Sequence, residues 1–386
     1  MKKIYLDNAA TTPLAEEVIQ EMTTVLRENF GNPSSTHSYG QEAKILLENV
    51  RRQIADYLKV TPAEIIFTSC GTESNNMIIK SCVDHLGVQR IISSPMEHKC
   101  VAETVMEMKT RKGVEVVYLR PDKKGDFDLI QLEELLKNSE KKTLVSLMHA
   151  NNEIGNILDI AKVAKIVKDN GALFHSDTVQ TIGHYDLDFT DVPVDFASCS
   201  AHKFHGPKGS GFAFIRKSSG LKSLITGGPQ ERSMRAGTEN VCGIAGLGKA
   251  LELAVNNIEN YSKNIQEVKD YAIAKIAEAV PGVTFNGRSS EKDSLYTVVS
   301  VLLPFKDPLI GMKMDMQGIA VSQGSACSSG ASKPSMVMMM LLDDEQLKNS
   351  TPLRISFSHL TTKEEIDVLS EVLSKITSEH LIEKTN

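Results

Sequence analysis

The sequence predicts an α/β protein in which a mostly parallel sheet carries helices on both faces. Between residues 65 and 215, short apolar runs alternate with segments of helical periodicity, which is typical of parallel strands joined by helical crossovers. The apolar runs lie at 65–69, 90–94, 114–119, 143–148, 172–176, 195–199 and 211–215. From about residue 281 the strands and helices are weaker and predict a smaller α+β unit.

Composition sets the size and excludes several classes of protein. The 386 residues, 41% of them hydrophobic, allow a large core and two domains. A net charge of −6 without a basic block argues against nucleic acid or an anionic membrane as the main partner. No apolar run is long enough for a membrane span or a signal peptide, so we expect a cytoplasmic protein. The six cysteines are scattered without a CxxC pair, which favours neither a disulfide framework nor a metal site.

Helical periodicity marks the segments around the predicted strands. Residues 41–58 form one such helix, with Arg51 and Arg52 expected on its polar side. The turn-rich stretch from Phe30 to Gly40 predicts an ordered loop before it. The remaining predicted helices lie at 14–28, 73–85, 240–280, 307–316 and 362–377, and the later strands at 296–303, 319–322 and 353–357.

Two strand ends in the centre of the chain carry a carboxylate and an amine. Asp177 ends one apolar run, and Lys203 follows the next, 26 residues later, before a glycine-rich turn. That spacing fits two strand ends joined by a crossover. A lysine that forms a Schiff base, with an aspartate that keeps a pyridine nitrogen protonated, suits pyridoxal 5'-phosphate (PLP). The alternative is a buried ion pair beside a polar turn.

Other strand ends carry polar residues that could hold a ligand. Gly71 and Thr72 open a helix after a buried strand, and such a junction suits a phosphate, although Thr72 could simply cap the helix. His98 enters a helix from a strand-end loop and could stack on a flat ring, or serve as a cap or surface residue. Asn152 could orient a ligand, although adjacent asparagines also make turns.

A cysteine near the end of the chain is flanked by small residues. Cys327 lies within Ser322–Ser332, which reads SQGSACSSGAS. Such a segment has little to pack with, so it predicts a mobile loop with a reactive thiol. An incidental loop cysteine is the alternative.

Several motifs together resemble one family, the cysteine desulfurases of the NifS/IscS type. They are YLDNAATTP, FGNPSSTH, FTSCGTESNN, MEH, ANNEIG, HSDTVQ, SAHKFHGPKGSG, RAGTEN, GSACSSG and LRISFS, in the order of the family and spread over residues 5–367. The resemblance implies the PLP-dependent fold type I, the aspartate-aminotransferase type. It further implies a large PLP-binding domain over 14–256. A small domain would combine 1–13 with 257–386 and carry the cysteine loop.

The resemblance also assigns roles to residues. Lys203 would form the Schiff base and Asp177 would hold the pyridine nitrogen, while Gln180 would donate to the phenolate oxygen. His98 would stack on the ring and shuttle a proton. The phosphate would be held by Gly71, Thr72, Ser200 and His202, with Thr238 reaching it from the other subunit of a homodimer. Asn152 and Arg354 would orient the substrate, with Arg354 gripping its carboxylate.

The activity that the resemblance implies is PLP-dependent removal of sulfur from L-cysteine. Cys327 would receive the sulfur as a persulfide and L-alanine would be released, for delivery of sulfur to an iron–sulfur scaffold or a thiolation enzyme. A selenocysteine lyase or a PLP aminotransferase on the same fold is the alternative. His359 stands where the family usually has arginine, and the chain ends on a polar tail where IscS-type members continue into a scaffold-docking segment. The acceptor therefore stays open.

Overall fold

A seven-stranded sheet forms the centre of the protein, whose computed structural model describes residues 3–323 and 334–385. The strands are β1 (Ile4–Tyr5), β2 (Ile65–Thr68), β3 (Arg90–Ser93), β4 (Glu115–Tyr118), β5 (Thr143–Ser146), β6 (Leu173–Asp177), β7 (Phe196–Ser200), β8 (Gly211–Ile215), β9 (Thr284–Phe285), β10 (Val298–Leu303), β11 (Ile319–Ala320) and β12 (Thr351–Ser356). The helices are α1 (Glu16–Glu28), α2 (Ser38–Leu58), α3 (Gly71–Leu86), α4 (Lys99–Lys112), α5 (Leu129–Lys137), α6 (Ile160–Asp169), α7 (Val241–Asn256), α8 (Ile258–Ala279), α9 (Ile310–Met316), α10 (Met336–Leu341), α11 (Asp344–Asn349) and α12 (Lys363–Thr385).

The large sheet is mostly parallel, as the sequence predicts. Its strand order is β2-β8-β7-β6-β5-β3-β4, and only β8 runs antiparallel to its neighbours. Every one of the seven predicted apolar runs contributes one of its strands. Parallel neighbours place their carboxyl ends at one edge, so the loops that follow them meet there.

Helices cover both faces of this sheet because successive strand residues point to opposite sides. Val145 and Phe174 pack with α1, α2, α6 and α7 on one face. Their neighbours Leu144 and Leu173 pack with α3 and α4 on the other face. A strand buried on both faces has no polar side, which is why these strands read as continuous apolar runs.

The last third of the chain forms a separate three-stranded sheet that also contacts the N-terminus. β10 pairs antiparallel with β12 and β9, and α8 and α12 bury their apolar sides against it. β1 pairs in parallel with β11, with Ile4 opposite Ile319, and Asp7 then bridges to Ser356. These contacts guide the next residues of the N-terminus toward the large sheet.

Several helix boundaries differ from the prediction, including the start of α9, which is Ile310 instead of residue 307. α2 begins at Ser38, because the His37 ring caps it by accepting a hydrogen bond from Gly40 N, so the end of the predicted loop is helical. The predicted helix over 240–280 is two helices separated by Asn257. The last helix continues past residue 377 to Thr385. Among the described residues, no helix combines the length and apolar character that crossing a membrane requires.

The prediction that Arg51 lies on the polar side of its helix is wrong. Its side chain is 3% exposed and forms two hydrogen bonds of 2.7 Å with the Glu231 carboxylate. The guanidinium also donates to Ile65 O and lies 4.5 Å from the centre of the Phe67 ring. Helical periodicity cannot reveal this burial, since the partner is 180 residues away. The pair anchors the segment that precedes α7.

Replacing Arg51 by alanine should destabilise the fold strongly. The Glu231 carboxylate would stay buried without its cation, which costs about 3–5 kcal/mol of unfolding free energy. Arg52→Ala is the matched control, because Arg52 is the next residue of the same helix and is exposed. Its effect should stay within about 0.5 kcal/mol. Urea unfolding followed by circular dichroism measures both, and equal losses in the two variants would contradict the anchoring role.

Candidate active site

The polar residues that follow the strands of the large sheet meet at one edge. β6 ends at Asp177 and its parallel neighbour β7 ends at Ser200, with Asp177 opposite Ser198 in the register. The loops after β2, β3 and β5 bring Gly71, His98 and Asn152 to the same edge. The edge is therefore assembled from five separate stretches of the chain.

A cavity of about 400 Å³ opens at this edge. Arg354, from the three-stranded sheet, closes part of it. Thr238 is exposed and does not line it, and Cys327 lies outside the described residues. The predicted site residues that do line the cavity are Gly71, Thr72, His98, Asn152, Asp177, Gln180, Ser200, His202, Lys203 and Arg354.

Lys203 reaches into the cavity from a short 3₁₀ turn, Ala201–Lys203, directly after β7. Its Nζ donates to Ala9 O at 2.6 Å and to Ala10 O at 2.9 Å. Burial, and to a lesser degree the nearby Arg354 guanidinium, lowers the pKa of Lys203 to about 8. About a tenth of the amine is therefore uncharged at pH 7, far more than for an ordinary lysine, and the uncharged amine is the form that acts as a nucleophile or base. Carbonyl partners leave no mark in the side-chain sequence, so the roles of Ala9 and Ala10 could not be predicted.

Asp177 is buried at the end of β6 and has neutral partners. Its Oδ2 accepts from Asn75 Nδ2 at 2.7 Å, and its Oδ1 accepts from Val179 N at 3.0 Å. Neither partner carries a charge, so the carboxylate can still attract a protonated ring nitrogen. Asn75 was missed in the sequence, where it is one polar residue within the helix α3.

The N-terminus of α3 forms another wall of the cavity. Gly71 N donates to Ser200 Oγ at 2.7 Å, which joins the two strand ends. A Cβ on Gly71 would lie 2.5 Å from Val179 Cγ2, so no larger residue fits there. Burial and the nearby Lys203 lower the pKa of His202 to about 4, so this ring is neutral. The unpaired N–H groups of a first helical turn attract anions, and this end of the cavity suits a phosphate.

Arg354 forms the wall of the cavity opposite the sheet. Its Nη2 pairs with Asp7 Oδ1 at 2.8 Å and its Nη1 donates to Asn152 O at 2.9 Å. Its buried Nε has no partner among the described residues. A guanidinium that is held on two sides and lines the cavity is suited to bind a carboxylate. Asp7 is a further residue that sequence reasoning missed.

The remaining predicted residues lie along the walls of the cavity. His98 caps α4, where its Nδ1 accepts from Cys100 N at 3.2 Å, so the cap is real and the ring still lines the cavity. Gln180 Nε2 donates to Ala9 O at 3.2 Å. Together these residues fit PLP, because the cavity offers an amine for the aldehyde, a carboxylate for the ring nitrogen and a helix N-terminus for the phosphate.

Comparison with known proteins agrees with this geometry. The family model for aminotransferase class-V matches residues 4–369. A cysteine desulfurase IscS from Dictyoglomus turgidum is 40% identical over 378 residues, which cover 97% of this chain and 94% of that protein. The cysteine desulfurase IscS of Methanosarcina thermophila is 38% identical, with 97% and 92% covered.

Solved structures agree as well. A NifS-like protein superposes with a TM-score of 0.89 at 36% identity, covering 98% of this chain and 100% of its own. A structure described as SspA in complex with cysteine gives a TM-score of 0.79 at 31% identity, with 94% and 100% covered. The chain belongs to the class-V aminotransferase family and, within it, to the cysteine desulfurases of the NifS/IscS type. It is a PLP-dependent enzyme of fold type I, and the predicted fold class and family resemblance are confirmed.

The depressed pKa of Lys203 leads to a test of its reactivity. PLP added to the cofactor-free protein should become bound to Lys203 and be fixed there by borohydride. Below pH 8 most of the amine is protonated, so the capture rate should rise with pH and level off above about 8. Stopped-flow absorbance gives the rate and peptide mass spectrometry the site. Lys203→Ala should give no adduct, and an adduct of equal yield on another lysine would overturn the assignment.

Proposed function

We propose that this enzyme is a cysteine desulfurase that takes sulfur from L-cysteine, leaves L-alanine, and holds the sulfur as a persulfide on Cys327. The observation that carries the proposal is the convergence of Lys203, Asp177 and Arg354 on one cavity. The relatives named as cysteine desulfurases support the activity, and the cysteine bound to the similar SspA supports the substrate.

Lys203 and Asp177, which both line the cavity, have different roles in the reaction. PLP, when bound, supplies an electron sink for the bonds of the substrate at Cα. Lys203 Nζ would hold the cofactor, and its amine, once released by the substrate, would accept the Cα proton. Asp177 would keep the ring nitrogen protonated, because among the described residues only neutral donors contact its carboxylate.

Arg354 fixes the substrate by its carboxylate. Asp7 and the carbonyl of Asn152 hold the guanidinium in place at the wall of the cavity. A substrate held by its carboxylate at Arg354 and by its amine at the cofactor would have a fixed orientation relative to Lys203, which lines the same cavity. Fixed orientation of this kind is a large part of what such a site contributes to the rate.

The ends of the segment that carries Cys327 support its role. Before it, Ser322 N donates to Arg354 O at 3.1 Å and Arg354 N donates to Ser322 O at 2.7 Å. After it, Ser335 Oγ donates to Glu153 Oε2 at 2.6 Å, next to Asn152. The segment therefore leaves and re-enters the described structure beside the two residues that would orient the substrate.

Cys327→Ser should separate sulfur transfer from the earlier steps. PLP binding and the spectral change on adding L-cysteine should persist, because no PLP-contacting residue is altered. Alanine and sulfide production should fall to near background, since a hydroxyl is a far weaker nucleophile toward sulfur than a thiolate. Cys242→Ser is the control, as Cys242 is a free cysteine that does not line the cavity. Asp177→Ala should fail earlier, with weak PLP retention.

The same experiment tests the alternative activities. A transaminase or a selenocysteine lyase on this fold needs Lys203 and Asp177 but no loop thiol. If Cys327→Ser keeps most of its alanine output from L-cysteine, the loop cysteine is incidental, and a lyase or transaminase describes the enzyme better.

We further propose a homodimer in which Thr238 reaches the phosphate of the partner subunit. Thr238 is exposed and lies away from the cavity of its own subunit. Its segment is held in place by Arg235, which makes two hydrogen bonds to Glu73 at the start of α3. The helix α7, just after Thr238, packs on α1, which leads to the exposed and contacting rings of Phe30 and Tyr39. Apolar rings beside an exposed polar segment suit an interface between subunits.

Sedimentation tests the dimer. The wild-type enzyme should sediment as a dimer at micromolar concentration, and Phe30→Asp should weaken the dimer and lower activity with it, because a buried charge is placed in the interface. Ile130→Asp is the matched control, since Phe30 and Ile130 are both 70% exposed and Ile130 lies on α5. A fully active monomer would refute the shared site.

The domain division and the fate of the sulfur complete the proposal. We assign 14–256 to a large PLP-binding domain and 1–13 with 257–386 to a small domain, which the apolar clusters support. One cluster draws its buried residues from 18–254 and the other from Ile4, Leu6 and 265–376.

Because Cys327 must be freed of sulfur for the next turnover, we place an acceptor protein in the cycle, an iron–sulfur scaffold or a thiolation enzyme. We propose the cytoplasm as its location.

A further inference from the structure

A chain of hydrogen bonds runs behind the cavity through three fully buried side chains. Ser146 Oγ lies 2.9 Å from His175 Nδ1, and His175 Nε2 lies 3.0 Å from Asn75 Oδ1. Asn75 Nδ2 then reaches Asp177 Oδ2 at 2.7 Å. Ser146, His175 and Asn75 are each 0% exposed. A polar chain so deeply buried is costly unless every member has a partner, and here each member does.

The carboxylate at the end of this chain determines which group donates at each link. A carboxylate only accepts, so the amide nitrogen of Asn75 faces Asp177 and its oxygen faces His175. That oxygen requires a proton on His175 Nε2, and Nδ1 is left to accept from the Ser146 hydroxyl. Burial lowers the pKa of His175 to about 4, which keeps the ring neutral and suited to one donor and one acceptor. Every donor in the chain therefore points toward Asp177.

Asn75 also begins a second branch, which leads to His98. The other N–H of its amide lies 3.3 Å from Cys100 Sγ, and that sulfur lies 2.9 Å from His98 Nδ1. Burial raises the pKa of Cys100 to about 12, so the group is a thiol and can donate its proton. His98 Nδ1 also accepts from the backbone N–H of Cys100. With two donors on Nδ1, the neutral His98 ring carries its proton on Nε2.

We propose that Asn75 is a positioning residue for the desulfurase reaction, holding the Asp177 carboxylate with one N–H and, through the Cys100 thiol, fixing the His98 ring with the other. Neither Asn75 nor Cys100 has to touch the reacting atoms for this role, although both line the cavity. One amide thereby fixes the orientation of two groups that would act on the same cofactor. His98, in this arrangement, presents an N–H donor to the cavity rather than a base.

The inference rests on the proposed function, but PLP affinity and the His98 tautomer can be measured without turnover. A failure of desulfurase activity and a failure of this inference are therefore distinguishable. Asn75→Ala should weaken PLP binding to the cofactor-free protein about 10- to 100-fold, the loss expected for a hydrogen bond to a charged group. Asn76→Ala is the matched control, because Asn76 is the next residue of α3 and donates to Thr72 O instead. Fluorescence titration gives the PLP dissociation constants.

The branch to His98 has its own readout. In the cofactor-free wild-type protein, ¹⁵N NMR of labelled histidine should show His98 with its proton on Nε2. Asn75→Ala and Cys100→Ala should both shift the His98 Nδ1 resonance, because the thiol is no longer oriented in one variant and is absent in the other, which leaves the backbone N–H of residue 100 as the donor to this nitrogen. Cys100→Ala should change PLP affinity less than threefold. Cys82→Ala controls for loss of a buried thiol, as Cys82 is fully buried on α3, seven residues after Asn75, and does not line the cavity. An unchanged Nδ1 resonance in both variants, or wild-type PLP affinity in Asn75→Ala, would overturn the proposal.

A second substitution covers the case in which Asn75→Ala does not fold. Asn75→Asp keeps the shape but places a second carboxyl group against Asp177. Near pH 8 the two carboxylates would repel and PLP binding should be weak. As the pH falls toward 6, the new carboxyl group should take up a proton and donate to Asp177, so the PLP affinity relative to wild type should recover. A ratio that stays constant between pH 6 and pH 8 would count against the hydrogen bond to Asp177.

Discussion

The parallel pairing of β6 with β7 is the constraint on which the rest of the site depends. It places Asp177 opposite Ser198, so the carboxylate and the turn that bears Lys203 emerge side by side from the same edge. Both strands are buried on both faces, so a shift of one residue would move every side chain into the core on the opposite face, where the packing is different. The core packing that fixes this register therefore also fixes the spacing of Asp177 and Lys203, the two groups that PLP requires.

The two charged groups of the site are kept apart by neutral partners. Lys203 is bound by the carbonyls of Ala9 and Ala10, and Asp177 by an amide and a backbone N–H. The interpretation of Asp177 and Lys203 as a simple buried ion pair therefore fails. If the lysine were paired with a carboxylate it would stay protonated, and Asp177 would have less attraction for a ring nitrogen. Neither Lys203 nor Asp177 has an oppositely charged partner among the groups that bind it. The cofactor would supply the aldehyde that reacts with the amine and the protonated nitrogen that pairs with the carboxylate.

Much of the fold and most of the cavity could be predicted from the sequence, for a physical reason. Strands buried on both faces show as apolar runs, and the residues that follow them meet at one edge, which located Gly71, His98, Asn152, Asp177 and Lys203. Buried polar partners give no such signal. Arg51 was placed on the wrong side of its helix, and Asn75 and His175 were overlooked, because their partners lie 100 to 180 residues away in the chain. Cys327 stays a prediction.

The position of the N-terminus has a consequence for how the protein is made. β1 pairs with β11, Ala9 N donates to Ser356 Oγ, and Ala9 and Ala10 then hold Lys203. Ala9 therefore gains this partner only when a strand about 350 residues further along the chain has been synthesised. At the usual rates of translation that interval lasts tens of seconds. The large sheet can form during synthesis, but the pocket for the lysine is completed only after β12 has emerged.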